Sequence, residues 1–289
     1  MSAFDLKRFK RTRIAPTPSG YCHLGNAYSF LLTAALAKRH GASLLLRIDD
    51  LDRERFREEY LEDIFETLRF LGIQWNEGPR DAADFHARWS QRFRMESYGA
   101  ALENLKNEGK VFGCRCTRSE LAGSPSYPGT CISRHLLLDA PETAWRLHQM
   151  GEPVFFFALE GSSREVALPG EMWNLVVRKK GGDPSYHLAS VVDDLTLGVD
   201  LVVRGRDLLP STLGQVQLAG KLGINEFGSI TFHHHPLIEG PGGLKLSKSA
   251  GSASIRALRK EGRTLEQVIE LIKNDLGSNA LSDKFFEGK

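Results

Sequence analysis

The sequence has 289 residues, a formal net charge of +2, 41% hydrophobic residues and 26% charged residues. A chain of this length can bury a large core, and its near-neutral charge excludes a global field for polyanions, so any nucleic-acid surface must be a local patch. The basic N-terminus lacks the apolar stretch of a secretory signal, and no apolar run approaches the ~18 residues of a spanning helix. We therefore expect a cytoplasmic protein without a membrane segment.

The first predicted elements are a strand, a turn and a helix. Residues 11–15 are predicted as a buried strand that a Pro/Gly-rich turn ends, and residues 25–40 carry apolar side chains at helical spacing. His23, Gly25 and Asn26 therefore lie at a helix N-terminus, where free backbone N–H groups and the helix dipole favour phosphate. We predict that Gly25 admits a nucleotide close to the backbone and that His23 donates a hydrogen bond to its phosphates.

The rest of the chain alternates strands and helices at both ends. The remaining predicted elements are a strand at 43–48, helices at 56–71 and 88–109, strand-like runs between 152 and 177, a strand at 200–204, a helix at 211–222, a strand at 229–232 and a helix at 265–276. This order predicts an α/β fold in which a Rossmann-type sheet is interrupted by a smaller α+β domain. The predicted segments are 1–110 and 186–250 for the two halves of the sheet, 111–185 for the insertion and 251–289 for a short helical end.

Three of the four cysteines fall within eighteen residues on a Gly/Pro/Ser-rich loop: Cys114, Cys116 and Cys131. In a reducing compartment such a cluster favours a metal site over disulfides. Zinc takes four ligands in a tetrahedron, so one ligand is missing from the cysteine count. His135, four residues past Cys131, is one candidate for it. Cys22 is interpreted as a small buried residue.

Two lysines three residues apart, Lys245 and Lys248, lie in a segment bracketed by glycines. Cations placed where negative charge develops are the usual source of catalysis in phosphoryl and adenylyl transfer. We predict that both ammonium groups stabilise a pyrophosphate leaving group, although a basic surface loop would have the same composition.

The two phosphate-binding patterns together resemble the HIGH and KMSKS signatures of class I aminoacyl-tRNA synthetases. RIAPTPSGYCHLGN, LLRIDDLD, PSYHLASVVDD, VVRGRDLLPST and KLSKS occur in the order of the glutamyl/glutaminyl branch. The resemblance implies that His23, Lys245 and Lys248 are catalytic, that ATP is bound with Mg²⁺ by these three residues with Gly25 and Asn26, and that the amino-acid pocket consists of Arg13, Ala15, Thr17, Asp49, Tyr186 and Arg204.

The implied roles in the pocket follow the charges of the substrate. Arg13 would face the side-chain carboxylate of the amino acid, and Asp49 would hold its ammonium group. Asp49 stands where glutamate-specific members carry Glu, whereas the glutamine branch carries Asp, so the choice between the two amino acids stays open. Asn26 replaces the last histidine of the HIGH signature.

Forty residues follow Ser249, and we expect no anticodon-binding domain among them because so short a segment cannot build its own core. A short C-terminal part combined with a Cys-x-Cys and Tyr-x-x-x-Cys loop resembles the glutamyl-queuosine tRNA(Asp) synthetase family. That resemblance implies Tyr127 as the fourth ligand of one structural zinc ion. It also implies ATP, L-glutamate and queuosine-containing tRNA(Asp) as partners of a monomeric ligase.

Three alternatives remain open. The chain can be a catalytic fragment of a glutamyl- or glutaminyl-tRNA synthetase, a non-catalytic RNA-binding paralogue, or another nucleotidyltransferase with a HIGH-type motif. A binding module has no need of the full set of ATP residues, which argues against the second alternative. The basic run at 256–263 is either an RNA contact or a solvated helix face.

Overall fold

The computed structural model describes residues 8–161, 163–240, 244–245 and 254–276. The helices are α1 (Leu24–His40), α2 (Glu58–Phe70), α3 (Ala82–Asp84), α4 (Met95–Asn107), α5 (Tyr186–Thr196), α6 (Leu209–Lys221), α7 (Ile255–Lys260) and α8 (Leu265–Leu276). The strands are β1 (Arg11–Ile14), β2 (Ser43–Leu46), β3 (Val111–Cys114), β4 (Ala144–Leu147), β5 (Pro153–Ala158), β6 (Ser163–Ala167), β7 (Val176–Arg178), β8 (Leu201–Gly205), β9 (Thr231–His235), β10 (Glu239–Gly240) and β11 (Leu244–Lys245). Within the described ranges, no helix has the length and apolar character needed to cross a bilayer.

The first of two compact units comprises Met1–Phe93, Leu201–Asp207 and His233–Lys289. Its strands follow the order β2-β1-β8-β9, and β1 is parallel to both β2 and β8. Helix α1 packs against β1 and β8 and ends at Gly41, whose φ of 67° is the left-handed conformation that glycine adopts without strain. Parallel strands covered by helices confirm the α/β prediction for this part of the chain.

The second unit comprises Arg94–Asp200 and Leu208–Phe232. It contains the antiparallel sheet β3-β4-β7, and the antiparallel pair β5-β6 with the start of β9 parallel to β5. Helices α4 and α5 are joined by the fully buried carboxylate of Asp193, which accepts hydrogen bonds from Arg94 Nε at 2.7 Å and Tyr98 Oη at 2.7 Å. Arg94 Nη2 also donates to the other oxygen of Asp193 at 3.1 Å. These bonds supply the partners that a charge removed from water requires.

The helix predicted at 88–109 is wrong in its first part. A π-helical turn, Phe85–Trp89, ends at Ser90, a 3-10 turn covers Gln91–Arg94, and only α4 is α-helical. Ser90 Oγ and the Gln91 N–H both donate to the buried carboxylate of Asp50, at 2.6 and 2.8 Å. These bonds to a distant part of the chain fix a non-helical backbone at Ser90, where ψ is 140°.

A glycine fixes the loop that flanks β2. Residues 76 and 77 exchange backbone hydrogen bonds with Leu44 and Leu46. Gly78 follows with a φ of +107°, and a Cβ atom built on it would lie 2.1 Å from the carbonyl oxygen of Leu46. No side chain fits there without moving the strand that leads to residues 47–50.

We therefore expect Gly78→Ala to destabilise the protein strongly, because it adds a backbone clash to an unfavourable φ. Gly41→Ala is the matched control, since Gly41 also has a positive φ of +67°, but no described residue beyond its chain neighbours comes within 4 Å of the position that a Cβ would take. The control should cost about 1–2 kcal/mol of unfolding free energy, and Gly78→Ala clearly more. Urea unfolding followed by circular dichroism measures both, and equal losses would contradict the clash.

Candidate functional site

The predicted pocket residues of the first unit share one face of the parallel sheet. Thr12 pairs with Leu201, so continuing this register by three residues places Arg204 beside Ala15. Backbone bonds from Arg47 N to Ile14 O and from Asp49 N to Pro16 O, both 2.9 Å, continue the pairing of β1 and β2 past the strand ends. Because side chains alternate between faces, Arg13, Ala15, Arg47, Asp49 and Arg204 point to the same side.

This set lies at the carboxyl ends of three parallel strands, which is where open α/β sheets bind ligands. Arg13 and Arg204 are each 5% exposed and Asp49 is 7% exposed. Ala15 is half-buried and Thr17, one further step along the same face, is exposed. The sheet edge therefore offers guanidinium groups and one carboxylate with little competing water.

Arg47 is a member of the set that the sequence analysis missed. Its Nε lies 2.7 Å from Asp49 Oδ1 and its Nη2 lies 3.1 Å from Oδ2, with both side chains buried. A two-point pair of this kind fixes the carboxylate orientation as well as balancing its charge. The signal was present in the sequence, because residues two apart on a strand share a face.

The neighbouring carboxylate of Asp50 anchors the loop behind Asp49. Besides Ser90 and Gln91, it accepts a hydrogen bond from Arg53 Nη1 at 3.0 Å, and it is 1% exposed. The side-chain oxygen of Gln91 in turn accepts the Leu51 N–H at 3.2 Å. These bonds hold residues 50–53 in place, so that Asp49 is presented from a fixed backbone.

His23 is the N-cap of α1 and forms a reciprocal capping box with Asn26. The Asn26 N–H donates to His23 Nδ1 at 3.3 Å, and the His23 N–H donates to Asn26 Oδ1 at 3.0 Å. With Nδ1 as an acceptor, a neutral imidazole carries its proton on Nε2. A Cβ atom at Gly25 would lie 3.0 Å from His23 Cε1, so glycine is what lets the ring pack over the first turn.

The remaining predicted residues lie on other elements or outside the described residues. Tyr186 is the first residue of α5, in the second unit, and is 41% exposed. Lys245 lies in β11, which pairs with β10, and the structure describes its backbone only. Lys248 lies outside the described residues.

The second unit brings the three predicted thiols together. The sulfur atoms of Cys114, Cys116 and Cys131 all lie within 4.8 Å of one another, and the Cys116–Cys131 distance is 3.5 Å. Tyr127 Oη lies 3.4 Å from Cys114 Sγ and accepts the Cys131 N–H at 2.9 Å. His135 is exposed and is not a member of this group.

Two of the thiols, Cys116 and Cys131, differ in acidity because their hydrogen bonds differ. Burial and the bond with Cys131 raise the pKa of Cys116 to about 11. Burial also acts to raise the pKa of Cys131, but bonds with the Arg115 backbone and Tyr127 outweigh it and lower the pKa to about 7. These hydrogen bonds favour the thiolate form of Cys131, and three thiols this close can hold a metal ion.

The chain is similar to known proteins along most of its length. The catalytic domain of class I tRNA synthetases (E and Q) matches residues 10–126 and 164–286. A glutamyl-Q tRNA(Asp) synthetase from Methylococcus capsulatus is 40% identical over 248 residues, which cover 85% of this chain and 78% of that protein. A glutamate–tRNA ligase from Anaeromyxobacter sp. (strain Fw109-5) is 34% identical over 276 residues, which cover 91% of this chain and 57% of that protein.

The fold has counterparts of known structure. The crystal structure of a glutamate-tRNA synthetase from Elizabethkingia anophelis matches with a TM-score of 0.67 and 25% sequence identity, covering 88% of this chain and 54% of that one. The chain thus spans little more than half of each glutamate enzyme and about four fifths of the glutamyl-Q enzyme.

Proposed function

We propose, since the chain belongs to the catalytic-domain family of class I tRNA synthetases (E and Q), that it activates L-glutamate with Mg-ATP and transfers it to the queuosine base of tRNA(Asp). The observation that carries the amino-acid half is the shared sheet face of Arg13, Asp49 and Arg204. The acceptor half is supported by the glutamyl-Q relative, which is more similar in sequence and is covered over more of its length than the glutamate–tRNA ligase.

The charges of the sheet edge fit an acidic amino acid. A glutamate zwitterion carries two carboxylates and one ammonium group, and a buried guanidinium binds a carboxylate better than the neutral amide of glutamine. We assign Arg13 to the side-chain carboxylate and Asp49, held by Arg47, to the ammonium group. Arg204, Ala15 and Thr17 are assigned to the rest of the pocket, and Tyr186 stays a prediction of the family resemblance.

The start of α1 fits the phosphates of ATP. The glutamate α-carboxylate oxygen attacks the α-phosphorus, an O–P bond forms, and the bond to pyrophosphate breaks. His23 Nε2–H donates to the phosphates, and Gly25 and Asn26 form the helix turn that receives them. We assign Lys245 and Lys248 to the departing pyrophosphate, whose charge Mg²⁺ would also share. In the second step a hydroxyl of the queuosine cyclopentenediol attacks the acyl carbon, and AMP leaves.

We assign zinc to the thiol group of the second unit, with Cys114, Cys116, Cys131 and Tyr127 as ligands. The donor set fits, because three sulfur atoms lie within 4.8 Å of one another and the buried Tyr127 hydroxyl lies against them. Bound there, the ion would cross-link β3 to the loop at 116–131, which is a structural role.

One other function has an observation in its favour. The glutamate–tRNA ligase from Anaeromyxobacter aligns with 91% of this chain, so the same site can serve transfer to the 3′-terminal adenosine of a glutamate tRNA. Both functions share glutamate activation, and they differ in whether that step requires tRNA.

Glutamate-dependent ATP–pyrophosphate exchange without tRNA tests the proposal. We expect exchange with glutamate and none with glutamine or aspartate, because the family resemblance implies activation without RNA. Exchange with glutamine instead of glutamate would identify glutamine as the substrate. Exchange that appears only after a glutamate tRNA is added would favour the ligase, and no exchange under either condition would contradict both functions.

One substitution separates the proposed phosphate contact of His23 from its role as the N-cap of α1. His23→Asn keeps a side-chain oxygen that can accept the Asn26 N–H, so we expect the free energy of unfolding to change by less than about 1 kcal/mol. It replaces the Nε2–H donor with the N–H groups of a shorter amide, which reach less far towards the phosphates, so the exchange rate should fall about 10²- to 10³-fold. His23→Ala is the comparison that loses both properties. A rate close to that of the wild type in His23→Asn would rule out the phosphate contact.

Elemental analysis of the purified protein tests the zinc assignment. We expect about one zinc ion per chain, lost in Cys114→Ala and kept in Cys22→Ala, since Cys22 is not part of the thiol group. Tyr127→Phe should weaken zinc retention against a chelator and His135→Ala should not. Full retention of zinc in Cys114→Ala would contradict the zinc site. Weaker zinc retention in His135→Ala than in Tyr127→Phe would make His135 the fourth ligand.

A further inference from the structure

An acidic stripe on α2 lies against the segment that precedes α1. Glu59, Asp63 and Glu66 recur every three to four residues and therefore share one face of the helix. Asp63 is 1% exposed, and its Oδ2 accepts the Cys22 N–H at 2.8 Å. Burial raises the pKa of Asp63, and the bond from Cys22 and the charge of Arg259 oppose this rise.

Two arginines of α7 face this stripe. Arg259 Nη2 donates to Glu66. Arg256 Nη1 donates to the hydroxyl of Tyr21, and its guanidinium carbon lies 4.7 Å from the centre of the Tyr21 ring. The Tyr21 hydroxyl donates in turn to Glu59 at 2.7 Å. A chain of contacts therefore runs from α7 through Tyr21 to α2.

Backbone contacts join the same segments. The Ile255 N–H donates to the Cys22 carbonyl at 2.8 Å, and His23 forms an antiparallel bridge with Ser254. Ser254 also caps α7, since its hydroxyl accepts the Ala257 N–H at 3.1 Å. Ile255 is fully buried. The residues directly before α1 are thus held between α2 and α7.

We propose that these contacts form a clasp that positions the KLSKS segment relative to His23, with Arg256 and Arg259 as positioning residues for adenylate formation. The clasp consists of Tyr21, Cys22, Glu59, Asp63, Glu66, Ser254, Ile255, Arg256 and Arg259. It rests on the proposed function, because it concerns the same ATP site.

The short chain segment between Lys248 and Ser254 links the clasp to the KLSKS segment. Ser254 follows Lys248 by six residues, so its Cα lies at most about 21 Å from that of Lys248. Its bridge to His23 therefore limits how far Lys248 can lie from His23, although over two hundred residues separate the two in the sequence. The basic run at 256–263 accordingly has two of its cations turned towards protein partners, while Lys260 and Arg263 are exposed.

The expected consequence concerns the rate rather than amino-acid binding. A loosened clasp misplaces the cations that stabilise the leaving pyrophosphate, and small misplacements of catalytic groups cost up to about 10²-fold. The sheet face that holds the amino acid carries none of the clasp residues. The kcat of glutamate-dependent ATP–pyrophosphate exchange should therefore fall, while the KM for glutamate stays close to its wild-type value.

A charge swap tests the clasp. Arg259→Glu places an acid against Glu66 and Asp63, and we expect the kcat of glutamate-dependent exchange to fall at least about tenfold. The double variant Arg259→Glu with Glu66→Arg restores an ion pair and should recover most of that loss. Lys260→Glu makes the same charge change at an exposed position of α7 and is the matched control. An unaffected Arg259→Glu, or a double variant no better than the single one, would overturn the proposal.

Hydrogen exchange measures the clasp without reference to activity. The amides of Cys22 and Ile255 are backbone donors within the clasp. Peptides that contain them should therefore exchange faster in Arg259→Glu and recover in the double variant. Wild-type exchange rates at both amides in Arg259→Glu would show that no clasp exists. If the wild type does not activate glutamate, that result contradicts the proposed function only. The amide exchange still decides whether the clasp holds these segments.

Discussion

The parallel pairing of β1 with β2 and β8 is the constraint on which the candidate site depends. It places Arg13, Asp49 and Arg204 on one face although they come from segments up to 191 residues apart. The same strand order brings β1 directly into the turn before α1, so a helix N-terminus lies at the carboxyl edge of the sheet. A shift of one residue in the β1–β2 pairing would turn Asp49 to the face opposite Arg13, and the same shift in the β1–β8 pairing would turn Arg204 away. Gly78 and Asp50 matter for this reason, because they fix the segments on either side of Asp49.

Local patterns were sufficient wherever an element is determined by its own residues. Helix α8 has the predicted bounds and α1 differs by one residue at its start, because each carries a continuous apolar stripe. The break at Ser90 could not be predicted this way, since the carboxylate that causes it lies forty residues earlier. The three thiols were found by their spacing. The spacing alone left Tyr127 and His135 as alternatives, which the family resemblance and the burial of Tyr127 beside an exposed His135 distinguish.

Local sequence patterns also do not show which charged residues contact distant parts of the protein. The run at 256–263 has the composition of a solvated or RNA-binding helix face, yet Arg256 and Arg259 contact Tyr21 and Glu66. Arg47 and Asp49 are an ion pair that a period-two reading of the strand would have found. The spacing of Arg47 and Asp49 is visible in the sequence, whereas the partners of Arg256 and Arg259 come from distant segments and are revealed only by the tertiary structure.

Mapping the glutamyl ester on the RNA tests the proposed acceptor most directly. The protein would be incubated with ATP, glutamate and queuosine-containing tRNA(Asp), and the RNA digested with ribonuclease under mildly acidic conditions. Mass spectrometry then identifies the fragment that has gained a glutamyl group. We predict that this is the anticodon fragment carrying queuosine. Glutamate on the 3′-terminal adenosine, with an unmodified anticodon fragment, would contradict the account.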